Sequence, residues 1–368
     1  MGINDAKLNE KIAAFEEELK NTKYNKRTQR SIGLLKAKIA RLRDEKHKKA
    51  TAQLAADGFA VKKTGDATAA LIGFPSAGKS TLLNKITDAD SAVAAYAFTT
   101  LTVIPGMLNY KKTRIQILDV PGLIEGASGG KGRGKEVLAA ASNADLIILL
   151  VDATAPEQLQ VMKNELYEAR IRMNMKKPEI RIMKKSTGGI TLSAGNLTKM
   201  DKATAIAMLR ELKVNNADVV LRGDVSPDEL IDIVEANRRY VSGIIVVNKM
   251  DVVDNAALEK IKAMIKPDLF ISAEKDMGLN ELKELIFQRL KFVRVYCKEA
   301  SKNADLNDPM VLSEGATVKD VCDKLHRDFV KRFRFARIWG KSVKFDGQKV
   351  LKLEHKVHDE DVVEVHVS

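Results

Sequence analysis

Gly73-Phe74-Pro75-Ser76-Ala77-Gly78-Lys79-Ser80 fits the pattern G-x-x-x-x-G-K-[ST]. The apolar run ATAALI ahead of it predicts a strand, and STLLNKI after it predicts a helix. That setting is what the pattern requires. Its glycines let successive backbone N–H groups converge on phosphate oxygens, and the helix N-terminus adds positive dipole. Gly73, Phe74, Pro75, Ser76, Ala77, Gly78, Lys79, Ser80 and Thr81 are therefore candidate nucleotide-binding residues. Lys79 is expected to reach the β- and γ-phosphates, and the Ser80 hydroxyl to ligate Mg2+.

Three more motifs lie downstream, each after an apolar run. Asp119-Val120-Pro121-Gly122 follows RIQIL. Asp119 is expected to hold Mg2+ through water, and the Gly122 N–H to sense a γ-phosphate. Asn248-Lys249-Met250-Asp251 follows GIIVV. Guanine offers two donors, N1–H and the exocyclic amine, and one carboxylate, that of Asp251, can accept both. Adenine would leave that carboxylate desolvated and unpaired, which binding sites reject strongly. Asn248 can tie the base to the phosphate loop, and the Lys249 stem can cover the ring. Ser272-Ala273-Glu274 follows the last run and supplies a backbone N–H to guanine O6. Strands alternating with helices argue for an α/β, doubly wound, largely parallel sheet that binds its ligand at the strands' C-terminal ends. GTP or GDP is the expected ligand, and the intact Asn248 and Asp251 argue against an ATPase.

The chain has 368 residues, 45% hydrophobic and 30% charged, with a formal net charge of +13. That length suits two or three domains, and the basic excess favours polyanionic partners. Two cysteines, Cys297 and Cys322, exclude a disulfide framework or a CxxC metal site and suit a reducing compartment. No apolar run approaches the roughly 18 residues of a membrane span. The N-terminus MGINDAKLNEK lacks an apolar signal core, and Ala6 fills the Ser/Thr slot of a myristoylation start. A cytoplasmic protein without a membrane partner is expected.

Leu8, Ile12, Phe15 and Leu19 share one helix face; Ile32, Leu35, Ile39 and Leu42 share another after a polar turn. A helical hairpin is expected. The first 65 residues carry 16 Lys and Arg against 8 Asp and Glu, more than half of the net charge. After Lys291 a mixed α+β unit is expected, with strands VRVYC, FARIWG and VVEVHV. A single helix is expected over VKDVCDKLHRDFVKRF, with Trp339 and nearby Phe residues in the core. The basic stretch Lys331, Arg332, Arg334, Arg337 and Lys341 suits either an rRNA contact or a solvated face. His355 and His358 lack a third metal ligand, and Asp359 to Asp361 read as a turn.

GFPSAGKST, AYAFTTLTVIPG (Ala95 to Gly106) and DVPGLIEGA resemble the Obg branch of P-loop GTPases. Within it the chain resembles the DRG (developmentally regulated GTP-binding) proteins along nearly its whole length. The matching stretches include GLLKAKIARLR, GKGRGKEV and NADVVLRGDVSPDELIDIVEANRRY. The resemblance implies four parts: a basic helical hairpin arm, 1–62; an Obg-type GTPase domain, 63–172 and 240–292; an α+β, ribosomal-protein-like insertion, 173–239; and a C-terminal β-grasp (TGS) domain, 293–368. Lys79 and Asn248 lie 169 positions apart, where a minimal GTPase uses about 100, which independently supports an insertion. The resemblance also places switch I at Phe98, Thr99 and Thr100, with Thr100 a Mg2+ ligand. It implies a ribosome, rRNA or tRNA partner, and a regulatory partner protein in some members.

Hydrolysis needs an oriented water and charge stabilisation. Lys79, Thr100 and Gly122 are the catalytic candidates. Ras-like enzymes place a Gln right after DxxG; here Leu123 stands there and can neither bind water nor carry charge. Slow intrinsic turnover is expected. Potassium-activated relatives often have Asn where Ser76 stands, so K+ as a further cofactor stays open. Arg133, in the Gly-rich run from Gly126 to Gly134, is a candidate cis-acting charge or a plain loop residue. The alternative function is a GTP-binding assembly switch, or an RNA- or ribosome-binding scaffold with negligible hydrolysis.

Overall fold

A computed structural model of the chain describes residues 3–23, 25, 27–54, 64–87, 104–120, 143–299, 302 and 304–368. Helices α1 (Ile3–Asn21) and α2 (Gln29–Leu54) open the chain. Next come β1 (Ala67–Gly73), α3 (Lys79–Ile86), β2 (Ile104–Tyr110), β3 (Thr113–Asp119), β4 (Leu146–Asp152) and α4 (Gln158–Glu168). They are followed by β5 (Ile171–Met173), β6 (Ile180–Lys184), β7 (Ile190–Ala194), α5 (Lys202–Glu211), β8 (Ala217–Leu221) and α6 (Pro227–Glu235). Then come β9 (Arg239–Asn248), α7 (Asn255–Ile265), β10 (Leu269–Phe270) and α8 (Leu279–Leu290). The chain ends with β11 (Phe292–Cys297), β12 (Met310–Ser313), α9 (Val318–Leu325), α10 (Phe329–Arg332), β13 (Phe333–Trp339), β14 (Gln348–Val350) and β15 (Asp361–Val367). Two compact units result: residues 1–59 with 170–240, and residues 60–169 with 241–368.

In the first unit the arm and the inserted block share a core. The strands run β6-β8-β7, with β6 antiparallel and β7 parallel to β8. Alternation puts Ile182, Leu192, Val219 and Leu221 on one face, where they pack with Met208, Leu209, Leu230 and Ala37 of α2. Gly33 lets α2 approach α5 closely: a Cβ there would sit 2.9 Å from the Thr204 methyl and 3.0 Å from the Met208 sulfur. Ser226 and Glu229 form a reciprocal capping box that starts α6. Arg172 grips Asp232 with two bonds of 2.6 and 2.8 Å, both side chains fully buried, and Arg238 adds a third at 2.8 Å. Removing one partner from such a buried pair costs about 3–5 kcal/mol, because the other charge is left uncompensated.

In the second unit the sheet order is β10-β9-β4-β1-β3-β2. All neighbours are parallel except β2, which returns antiparallel to β3. β1 and β4 are buried at every position, as continuous apolar runs flanked by helices must be. Their side chains pack with Leu82, Leu83 and Ile86 of α3 and Leu282 and Ile286 of α8. This is the α/β P-loop architecture expected, and it aligns the C-terminal ends of β1, β3, β4 and β9.

The C-terminal sheet runs β12-β11-β15-β13-β14, with β11 and β15 parallel and the other pairs antiparallel. α9 covers one face through Val318, Val321 and Cys322, which pack on Val295, Ala336, Ile338 and Val363. Two expectations are corrected here. The single helix breaks at His326, whose backbone is extended (φ −162°) and whose ring Nδ1 accepts from the Asp328 N–H at 3.2 Å. That local bond competes with the helix, and the chain re-enters only the four-residue α10. The buried core is aliphatic, with Phe329 and Phe333 packed against it as expected, but strand alternation turns Trp339 and Phe335 to the opposite face. Among the described residues, no helix is long and apolar enough to cross a membrane.

Candidate nucleotide site

β1 delivers Gly73 into a loop that ends at the first turn of α3. Two backbone positions make the loop possible. Ser76 has φ 66°, and Gly78 has φ 90°, a region costly for residues with a Cβ. A Cβ on Gly78 would lie 2.3 Å from Asn248 Nδ2, so the glycine is required sterically as well. Lys79 folds into this loop. Its ammonium donates to the carbonyls of Gly73 at 3.1 Å and Phe74 at 3.0 Å. Burial lowers its pKa, and the charge of Asp119 partly opposes that. Phe74 is half-buried, while Pro75, Ser76, Ser80 and Thr81 are exposed, so the loop is open for a ligand.

Asp119 ends β3 beside Leu71 of β1, its register partner. The Ser80 hydroxyl donates to Asp119 Oδ2 at 2.8 Å. Oδ1 is buried and has no hydrogen-bond partner among the described residues. Burial pushes this carboxyl above the ordinary range, while the Ser80 hydroxyl and the Lys79 charge partly offset the shift. A hydroxyl and a buried carboxylate with a spare oxygen form a donor set that fits a hard divalent cation such as Mg2+.

At the base end Asn248 is a clamp. Its Nδ2 donates to the Ala77 carbonyl at 2.9 Å, and its Oδ1 accepts from the Ala273 N–H at 3.0 Å. One buried side chain thus joins the phosphate loop to the Ser272-Ala273-Glu274 turn. Ser272 is buried and exchanges backbone bonds of 3.0 Å with Met277, and Glu274 is exposed. The Asp251 carboxyl is held below its usual range, first by a hydrogen bond from Ser272, against some desolvation. Among the described residues its Oδ1 lacks a partner, and Lys275 Nζ lies 3.3 Å from Oδ2. Lys249 adopts φ 63°, and its ammonium meets Asp152 Oδ2 at 2.7 Å.

Comparison with known proteins fits this geometry. The family model described as "50S ribosome-binding GTPase" matches residues 68–185. A model of the C-terminal region of that domain matches 187–292, and the TGS domain model matches 293–367. An uncharacterized GTP-binding protein of Methanocaldococcus jannaschii is 48% identical over 98% of this chain and 93% of its own. The developmentally-regulated GTP-binding protein 2 homolog of Dictyostelium discoideum is 43% identical over 97% of this chain and 98% of its own. The human developmentally-regulated GTP-binding protein 2 is 41% identical over 97% of this chain and 98% of its own. The chain belongs to the developmentally regulated GTP-binding protein family. It is a GTP-binding protein with a P-loop GTPase domain and a C-terminal TGS domain.

In this DRG-family chain the structure brings together Gly73 to Thr81, Asp119, Asn248, Lys249, Asp251 and Ser272 to Glu274 at the ends of β1, β3, β9 and β10. Phe98, Thr99, Thr100, Gly122, Leu123 and Arg133 lie outside the described residues. Sequence reasoning missed Asp152 and Thr154. Asp152 accepts from the Thr154 N–H at 2.8 Å and hydroxyl at 2.7 Å. Burial pushes its carboxyl up, yet Lys249 and Thr154 together hold it below the ordinary range. The signal was present: Asp152 ends its apolar strand as Asn248 ends β9, and the two are direct register partners.

Proposed function

We propose that this chain hydrolyses GTP to GDP and phosphate in a Mg2+-dependent reaction, slowly on its own, and acts as a GTP-gated factor on ribosomes or on rRNA or tRNA in translation. The observation that carries the reading is the buried oxygen of Asp119, without a partner among the described residues, beside Ser80 and Lys79. Ser80 and Asp119, the latter through water, would hold Mg2+, joined by Thr100 on the family resemblance. When bound, Mg2+ neutralises charge on the β- and γ-phosphates. Lys79 would leave its loop carbonyls for phosphate oxygens, and the Gly122 N–H would report the γ-phosphate. Asn248, Lys249, Asp251 and the Ser272–Glu274 turn would hold guanine.

Leu123 supports slow turnover, since no group there orients water. The missing function would then come from K+, from Arg133 or from a partner surface. The net charge of +13 and the ribosome-binding description of the matching family model support an RNA-rich partner. A dedicated regulatory protein and a cytoplasmic location belong to the same reading. We divide the work among an arm (1–62), a GTPase domain (63–172 and 240–292), an insertion (173–239) and a TGS domain (293–368).

The second reading is an assembly switch with negligible hydrolysis, favoured by Leu123 alone. GTP turnover in K+ and in Na+, with and without ribosomes, separates them. A rise in K+ alone assigns the missing group to the cation, and a rise only with ribosomes assigns it to the partner. Tight GTP binding with no turnover in any condition overturns the enzyme reading.

A further inference from the structure

The three-stranded sheet of the inserted block has two edges, β6 and β7. They are built differently. β6 carries Arg181, Lys184 and Lys185, all exposed, and Pro178 stands just before it. Charge and proline are the usual guards of a strand edge. β7 has neither. Residues 186–198, which hold β7 and the loops on both sides of it, contain no Lys, Arg, Asp, Glu or Pro.

The pairing of β7 with β8 shows which backbone groups face outward. In a parallel ladder, alternate residues turn both groups to the same neighbour. The Gly189 carbonyl accepts from the Ala217 N–H at 3.1 Å, so Thr191 and Ser193 also face β8. Ile190, Leu192 and Ala194 then present N–H and C=O on the outer edge, where no strand pairs with β7 among the described residues. The inner face is unfinished at the same place. Ala217, Val219 and Leu221 of β8 are between 0 and 2% exposed. Their register partners Ile190, Leu192 and Ala194 pack against the same core but are only half-buried.

The chemistry of this edge limits what can lie along it. It offers no cation for a nucleic acid or an acidic segment, and no carboxylate for a basic one. What fits is an uncharged strand with an apolar residue at every second position, and β7 is itself such a strand. Two copies of β7 related by a two-fold axis at Leu192 are self-complementary. Each outward residue exchanges both backbone bonds with the second copy, Leu192 opposite Leu192 and Ile190 opposite Ala194. Thr191 then stands opposite Ser193 of the second copy, hydroxyl beside hydroxyl. The half-buried apolar row is covered in the same step.

We infer that the β7 edge is a homotypic docking surface, on which a second copy of this chain adds its own β7 antiparallel to make one sheet across both copies.

Sedimentation velocity of the full chain between about 1 and 200 µM tests this, since two five-residue strands make a small interface and a weak association. The chain should pass from monomer to dimer in that range. The dimer should tighten as KCl rises from about 50 to 500 mM, because two copies of net charge +13 repel each other less in salt. T191K/S193K sets lysine against lysine across the two-fold and should weaken the dimer by about tenfold or more. T191E/S193E should do the same, and an equimolar mixture of the two variants should dimerise again. Thr191 and Ser193 are exposed, so both variants should keep wild-type melting temperature and GDP affinity. A194P removes an outward N–H that β8 does not use, and it should also weaken the dimer. A wild-type chain that stays monomeric over the whole range overturns the inference. If that chain binds a fluorescein-labelled Thr-Val-Thr-Val-Thr peptide, the edge belongs to another protein's strand. A dimer that survives T191K/S193K and A194P, or one that dissolves in salt, also overturns it. So do folded Lys and Glu variants that fail to dimerise when mixed.

Discussion

Asp152 accepts the Lys249 ammonium at 2.7 Å where β4 and β9 end side by side. Lys249 pays for its place with a left-handed backbone, φ 63°. The pair fixes the lysine stem, which in the proposed reading forms a wall for the base, and Thr154 fixes Asp152 in turn. D152A should weaken GDP and GTP binding equally, by about fivefold, because the lysine is partly exposed and its pair partly screened. Isothermal titration with both nucleotides checks it. Unequal losses would show that Asp152 acts on the phosphates instead.

In the proposed reading Asp251 selects the base. Among the described residues its Oδ1 has no partner, and its carboxyl is held below its usual range, so both oxygens can accept from guanine. An Asn there offers one acceptor and one donor. D251N should lose GDP affinity by about 100-fold or more and gain affinity for xanthosine diphosphate, whose C2 oxygen accepts. Competition of the two nucleotides against a fluorescent GDP reads this directly. Unchanged preference would move base recognition elsewhere.

Most of the site was legible because its motifs stand at the ends of apolar strands, and strand ends converge in a parallel sheet. Gly73, Ser80, Asp119 and Asn248 could be placed from that rule alone. Asp152 also ends an apolar strand, but no motif surrounds it to mark it as a site residue, and its partner Lys249 follows only from the β4–β9 pairing. Trp339 was misplaced for a related reason: composition says that tryptophan packs, but the one-residue alternation of β13 decides which face it packs on. The break at His326 rests on one side-chain-to-backbone bond, which periodicity does not register. The union of the arm with the inserted block turns on contacts such as Gly33 against Thr204 and Met208, some 170 positions apart in sequence.

In the proposed reading Asp119 trades stability for ligand binding. Its folded-state pKa is raised, chiefly by burial. The charged form is thus disfavoured on folding, a cost present above the raised pKa and absent below the unfolded value. Stability from this group therefore rises as pH falls through the raised pKa. D119N removes the cost, so the nucleotide-free protein should melt at the same temperature or about 2 °C higher. The same variant should lose the Mg2+ dependence of GTP affinity. Melting curves at neutral pH with and without Mg2+-GTP test both halves. A large loss of stability without ligand would mean the carboxylate is a structural group.

Glu284 of α8 accepts from the Tyr110 hydroxyl at 2.8 Å and from Lys111 and Gln288 at 2.9 and 3.0 Å. The Lys111 bond, then those of Tyr110 and Gln288, push its pKa down to about 2. A depressed carboxylate stabilises the fold above its ordinary pKa and loses that contribution as pH falls towards the folded value. E284Q should therefore melt below wild type at pH 7, and the gap should shrink between about pH 4.5 and pH 2. Paired melts across that range check it. A gap independent of pH would place the effect in packing rather than charge.

The turn that carries Lys111 links the strands on either side of it to the C-terminal domain. Tyr110 and Thr113 pair across a two-residue loop whose central residues have φ 47° and 61°. Positive φ at both positions favours Asn-Gly, and lysine in that region costs about 1 kcal/mol. The side chains offset that cost: Lys112 donates to the Leu306 carbonyl, and Lys111 pairs with Glu284 and lies 5.2 Å from the Phe287 ring centroid. β3 ends in Asp119, so the turn joins the strand that carries a candidate Mg2+ ligand to the TGS domain. K111N/K112G should relax the hairpin and cut the link together. Global melting should hold or rise, while amide exchange quickens at residues 293–297 and 304–308. Exchange unchanged at those residues would mean that the C-terminal domain is held by Arg294, which donates to the Lys111 carbonyl at 3.3 Å, and not by the lysines.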